Sequence, residues 1–264
     1  MYDIMHRILS DRKGGEVFTC FGVWHLCYIA FFAVLIFAVY MALRKRGRGA
    51  LYGAAGVFIG ISFGMYIADF FLMPLAYGYI DIEKLPFHVC TAMCVMCFLS
   101  RRVGFLKKYR VHFALLGFIS NLVYLIYPAG VMWYAVSPLS YRVVQTLSFH
   151  GFMTAYGFFA IISDEEGLRL RRCYRDAVVL AGMTLWALAG NTLYNGDSEG
   201  YSHFFNWFFV VRDPFYILDE HVAPFVMPFL NIAVFFSVEM AVYLICALVR
   251  KARQKMSGTP ETKG

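Results

Sequence analysis

Charge is scarce in this sequence. Asp, Glu, Lys and Arg make up 16% of its 264 residues, while 60% are apolar; soluble domains carry about 25% and about 45–50% respectively. A water-exposed surface needs more charge than that, which excludes a soluble globular domain. A disordered chain, built on low hydropathy and high charge, is excluded with it. A disulfide framework is lacking too. The seven cysteines (Cys20, Cys27, Cys90, Cys94, Cys97, Cys173 and Cys246) are odd in number, and most sit inside apolar runs. Neither a phosphate-cradling P-loop nor a dinucleotide-binding glycine pattern is present. The last apolar run contains no lysine for a retinal Schiff base and no histidine for a seven-helix zinc hydrolase. The spacing of His25, His88 and His150 supports neither a metal nor haem, and no cofactor is expected.

What is present is a series of apolar blocks, and in lipid each must be a helix, because every backbone N–H and C=O has to be bonded internally. Seven spans are predicted: Phe18–Leu43, Ala50–Leu75, Leu85–Leu99, Val111–Tyr127, Tyr141–Ser163, Ala177–Tyr194 and Ala223–Val249. The third reaches only about 21 Å against a hydrocarbon core of about 30 Å, so it starts below the surface or is shielded by neighbours. The expected fold is all-α: a seven-helix bundle over 18–249, a segment 1–17 before it and a basic tail 250–264 after it.

Lys and Arg alternate between connectors. Segments two, four, six and eight hold four, five, four and five of them; segments one, three, five and seven hold three, one, one and one. The positive-inside rule then puts the N-terminus outside and the C-terminus in the cytoplasm. The formal charge of +7 is thereby explained as topology and headgroup anchoring, and nucleic acid is not expected as a partner.

Polar groups inside a membrane are costly, so each is a functional-site hypothesis. Asp69, His88, Cys90, His150, Asn191 and His25 all fall in the outer half, and only Glu239 lies towards the inner half. The segment Leu85-Pro86-Phe87-His88-Val89-Cys90 opens the third span. Pro86 suits a first helical turn, which places Cys90 near a helix N-terminus, whose dipole and free N–H groups favour an anionic sulfur. The plain alternative is that Cys90, Cys94 and Cys97 form one packed face. His150 sits in Leu147-Ser148-Phe149-His150-Gly151, where the glycine permits close approach by a helix or a substrate. Asp69 reads either as an orienting carboxylate or as a structural partner of Tyr66 or Tyr79. Glu239 has Asn121, Asn231 or an arginine as candidate partners.

Gly56, Gly60, Gly64 and Ala68 form a small-residue ridge on which another helix is expected to pack. Its Gly60-Ile61-Ser62-Phe63-Gly64 matches the serine-hydrolase pattern, but that motif needs a strand–turn–helix elbow and does not apply inside a membrane helix. The connector Asn195–Val222 contains Phe204, Phe205, Trp207, Phe208 and Phe209, an interfacial belt or a lid over an outer site.

The Leu-Pro-Phe-His-Val-Cys opening of the third span and the Ser-Phe-His-Gly of the fifth, with seven spans and the separation between Cys90 and His150, resemble the YwaF-like bacterial membrane proteins and their animal relative, transmembrane protein 164. The likeness runs over 85–249, and the Asn191–Asn195 stretch departs from the bacterial pattern. It implies a membrane-embedded acyltransferase moving a fatty acyl chain between phospholipids and lysophospholipids through a thioester on Cys90. His150 would be the proton-accepting partner, or His88 in its place, with Asp69 or Asn191 orienting the histidine. The alternative is a transporter or sensor that uses Asp69, His150 and Glu239 without covalent chemistry.

Overall fold

The computed structural model describes residues 9, 16–79, 82–132, 135–164, 168–194, 205–211 and 221–257, all helices and connecting turns. Among the described residues, seven helices have twelve residues or more: α1 Val23–Leu43, α2 Arg48–Tyr77, α3 Val89–Ser100, α4 Arg110–Ile126, α5 Tyr141–Ser163, α6 Tyr174–Tyr194 and α7 Met227–Ser257. The chain is thus all-α over the described residues, and α7 continues through 250–257, eight residues of the expected tail. Most of segment 1–17 and the end of the tail lie outside the described residues.

Among the described residues, five stretches are long and apolar enough to cross a membrane: Val23–Leu43, Arg48–Leu75, Gly104–Met132, Leu170–Tyr194 and Met227–Ala252. The third predicted span is the short helix α3, as its length implied. The fifth, α5, has 23 residues but is not among the five. Its buried surface carries Gln145, Thr146, His150 and Thr154, which lower its hydropathy. Such residues are tolerated because α5 is the central element, packed most extensively against α2 and α4. Protein covers most of its surface.

Local chemistry sets the helix ends. α2 starts after Gly47 (φ 84°) and stops at Gly78 (φ 78°), whose N–H bonds Pro74 O; only glycine adopts that left-handed cap without strain. α5 is capped by Ser140, whose hydroxyl accepts the Val143 N–H. α3 starts one turn later than the sequence suggests. Its N-cap is His88, so Pro86 precedes the helix and Cys90 is the second helical residue.

Side chains gather the connectors into two ends. At the basic end, Arg101 donates to Tyr52 O (3.2 Å), Arg110 to Asp164 (3.1 Å), Arg175 to Lys108 O (3.0 Å) and Arg250 to Leu168 O (3.2 Å). At the opposite end, Phe18 N–H reaches Val136 O (2.8 Å), Tyr141 donates to Asp69 (2.6 Å) and Trp186 to Pro86 O (2.6 Å). The charge alternation in the sequence therefore corresponds to two physical ends of the molecule.

The expected packing ridge on α2 is corrected. A Cβ on Gly60 or Gly64 meets nothing within 4 Å, and Gly56 meets only the Arg101 side chain. α2 buries a different stripe, Leu51, Ala55, Phe58, Ser62, Tyr66, Asp69 and Met73, at the three- and four-residue spacing of one helix face. Bulky side chains bury more apolar area than glycines, and that face won. Ser62 is buried in mid-helix and donates to Phe58 O (3.0 Å), which removes it as a hydrolase nucleophile. Gly151 does admit a close neighbour: the Phe32 ring of α1 lies 2.3 Å from where a Cβ would be.

Candidate functional site

Cys90 sits in the first turn of α3 and is 5% exposed, inside the main core cluster with Phe87, Val89 and Phe149. Its thiol faces Ser120 of α4 and the amide N–H of its own residue, one of the free donors of the α3 N-terminus. It does not point at the lipid-facing surface.

His150 lies on the central helix. Its Nδ1 is 2.7 Å from Thr146 O; a carbonyl only accepts, so Nδ1 carries the proton and Nε2 offers a lone pair. Nε2 has no hydrogen-bond partner among the described residues. The ring stacks on Tyr124 of α4 at 3.9 Å between centroids and 13° between planes. Tyr124 joins the two halves of the site, since it is also within electrostatic range of Cys90. Its hydroxyl abuts Gly130 of the single turn Ala129–Met132. His88 and Lys84 are within electrostatic range of His150. Tyr124, stacked on His150 and within electrostatic range of Cys90, is thus the link between the two, and no hydrogen bond joins Cys90, His150 and His88 among the described residues. Tyr124 was missed in the sequence because an aromatic near a span end reads as an interface anchor.

The two residues expected to orient a histidine do other work. Asp69 accepts from Tyr141 and pairs with Lys84 Nζ at 3.2 Å, tying the end of α2 to the start of α5. No hydrogen bond joins it to Tyr66 or Tyr79 among the described residues, although Tyr66 lies within its electrostatic range. Orientation of His150 comes from its own helix, through Thr146. Asn191 clamps Trp207 from both sides, donating to its carbonyl (3.2 Å) and accepting from its N–H (3.1 Å). Asn231 of α7 donates to Phe208 O at 2.6 Å.

Those bonds fold residues 205–211 into the protein, so this part of the aromatic connector is no surface belt. Trp207 and Phe208 are 2% and 0% exposed, although both Phe208 and Phe209 have the left-handed backbone (φ 56° and 54°) that side chains disfavour. Trp207 stacks near Phe87 (5.0 Å), and Phe209 meets the His88 ring edge-on (5.5 Å). The loop therefore rests on the entry to α3. Phe204 and the rest of 195–204 lie outside the described residues. Asn191→Leu strips the Trp207 amide and carbonyl of their partners, at about 1–3 kcal/mol for each orphaned group. The expected result is faster limited proteolysis within 205–211 while the helix content is kept; unchanged protection would contradict the clamp.

His25 is a structural histidine. Its Nδ1 accepts the Phe21 N–H (2.9 Å) and its Nε2 donates to Leu125 O (2.9 Å), so neither nitrogen remains for chemistry. Cys94 and Cys97 are fully buried among apolar neighbours and pack. None of the seven cysteines is bridged, and among the described residues no group of three or more His, Cys, Asp or Glu is placed to hold a metal ion.

A second polar cluster joins α4, α6 and α7 near the basic end. His112 Nδ1 is 2.9 Å from Asp176 Oδ1, and Tyr243 donates to Asp176 Oδ2 at 2.5 Å. His112, Asp176 and Glu239 are each 0% exposed. Glu239 bonds neither asparagine proposed for it: Asn121 donates to Gly117 O and Asn231 to Phe208 O. Both its oxygens and His112 Nε2 are without hydrogen-bond partners among the described residues, and Glu239 and Asp176 act on each other electrostatically.

No family model, curated protein or solved structure matches the chain.

Proposed function

We propose that this chain is an integral membrane acyltransferase in which Cys90 carries the acyl group and His150 moves the proton. The observation that carries this reading is the fixed tautomer of His150. Its Nδ1–H is held by Thr146 O, its Nε2 has no hydrogen-bond partner among the described residues, and the Tyr124 ring stacked on it is also within electrostatic range of Cys90. His25, by contrast, has both ring nitrogens bonded and neither left for chemistry.

In the reaction, Nε2 takes the thiol proton as sulfur attacks the ester carbonyl of a phospholipid. The C–O bond breaks, the lysophospholipid leaves with that proton, and a thioester remains on Cys90. A second lysophospholipid hydroxyl gives its proton to Nε2 and attacks the thioester, which returns the thiol. The free amides of the α3 N-terminus, with His88 at its cap, are the donors nearest the developing oxyanion. Loop 205–211 serves as the lid that keeps water from the thioester. In this reading the chain has seven spans with its basic end cytoplasmic, in a bacterial inner membrane, and the chemistry belongs to the outer half of the bilayer. The test is transfer of a labelled acyl chain from phospholipid to lysophospholipid in liposomes containing the purified chain; no transfer with any headgroup would refute the assignment.

A second reading, a proton-coupled transporter or sensor, is favoured by the buried Glu239 beside the His112–Asp176 pair. It does not draw on Asp69, which Lys84 and Tyr141 already engage. Proton-coupled uptake in proteoliposomes that is lost in Glu239→Gln, with no acyl transfer, would establish it in place of the enzyme.

A further inference from the structure

The open face of α2 and the hollow at its basic end take no part in the chemistry above. Gly53, Gly60 and Gly64 are exposed, and a Cβ on any of them would meet no atom within 4 Å. Where this face reaches the basic end lies a cavity of about 380 Å³ lined by Tyr52, Gly56, Gly60, Phe98, Arg101 and Arg102.

Both guanidinium groups are held in place by aromatic faces. Arg101 lies 3.8 Å over the Tyr52 ring and Arg102 lies 4.0 Å over Phe98, which is itself stacked on Phe63 at 3.9 Å. Stacking occupies the flat face of a guanidinium and leaves its N–H edge for an acceptor. Neither arginine is in an ion pair with a carboxylate among the described residues. Arg101 Nη2 donates to Tyr52 O, while Arg101 Nη1 is enclosed with no acceptor among the described residues. An enclosed cationic donor without an acceptor is among the more costly defects a structure carries. Here it borders a cavity large enough for a small anionic group.

We propose that this hollow binds the phosphate of an anionic phospholipid from the leaflet at the basic end, with the acyl chains running along the open track of Gly60 and Gly64. Two preset guanidinium edges match phosphate oxygens, which accept charge-assisted bonds from arginine. The flanking α2 residues Val57, Ile61 and Ile67 are exposed and apolar, which suits acyl chains and does nothing for a free inorganic anion. A second copy of the chain is disfavoured by charge. Two-fold pairing on the same glycines would bring the Arg101–Arg102 pairs of both copies face to face. The site lies at the opposite end of α3 from Cys90 and holds under either reading of that cysteine.

The test is native mass spectrometry of the full chain in a neutral detergent, titrated with phosphatidylglycerol or phosphatidylcholine, with and without inorganic phosphate. The wild type is expected to retain phosphatidylglycerol preferentially and to keep it against excess phosphate. Arg102→Gln removes one charge-assisted contact and Gly60→Leu fills the track; each is expected to weaken retention about tenfold or more. Circular dichroism checks that each variant is folded, and Gly60→Leu decides the matter alone if Arg102→Gln is not. Equal retention of the two lipids, wild-type retention by Gly60→Leu, displacement by phosphate, or lipid-independent cross-linking of copies through Gly60→Cys would each overturn the proposal.

Discussion

Cys90→Ala is expected to reduce acyl transfer to background, because no thioester forms without the sulfur. His150→Ala is expected to slow transfer by about 10²–10⁴-fold, the usual contribution of a positioned general acid–base group. The two changes remove one unit of chemistry, so the double variant should be no slower than Cys90→Ala alone. Thr146 does not enter this series, since its backbone carbonyl, not its side chain, holds Nδ1. His88→Ala discriminates between the histidines. If His150 is the base, losing the imidazole at the α3 cap weakens transfer far less than losing His150. The measurement is the initial rate of labelled acyl transfer in liposomes at matched protein incorporation. Wild-type rates in Cys90→Ala or His150→Ala would contradict the mechanism.

Asp176→Ala is expected to produce the largest loss of stability of any single change at the helix contacts described. It leaves the His112 Nδ1–H and the Tyr243 hydroxyl without their acceptor inside a region with no solvent access. Breaking a buried pair from one side costs about 3–5 kcal/mol. Tyr243→Phe removes one donor and leaves the carboxylate paired with His112, so its cost should be nearer the 1.5–3 kcal/mol of a hydrogen bond to a charged group, about half as large. Thermal unfolding in detergent reads both. An Asp176→Ala variant melting alongside the wild type would show that the three-helix cluster contributes nothing to the fold.

Much of this architecture was readable from residue order. Long apolar runs gave the helices, the short third run placed Cys90 at a helix start although Pro86 lies before the helix and not in its first turn, and the alternation of basic residues separated the two ends. The central position of α5 was not readable, since a helix wrapped by protein is excused from the hydropathy that lipid demands. The glycine ridge misled for a related reason. Four-residue spacing shows that a face is smooth but not that anything lies against it, and the buried stripe of α2 runs from Leu51 to Met73 on another side. His112 and Asp176 escaped notice because each lies close to a span boundary, where polar residues are ordinary, and 64 positions separate them. The Asn191 clamp on Trp207 and the Asn231 bond to Phe208 likewise join parts of the chain with no local pattern to announce them.

The most direct test of the catalytic assignment is chemical. The purified chain, incubated with a phospholipid bearing a labelled acyl chain and quenched at low pH, should yield a peptide containing Cys90 heavier by one acyl group. The adduct should be released by hydroxylamine, as thioesters are, accumulate in the absence of lysophospholipid and be discharged when it is added. An unmodified Cys90 peptide under conditions where transfer proceeds, or an adduct on another residue, would contradict the account.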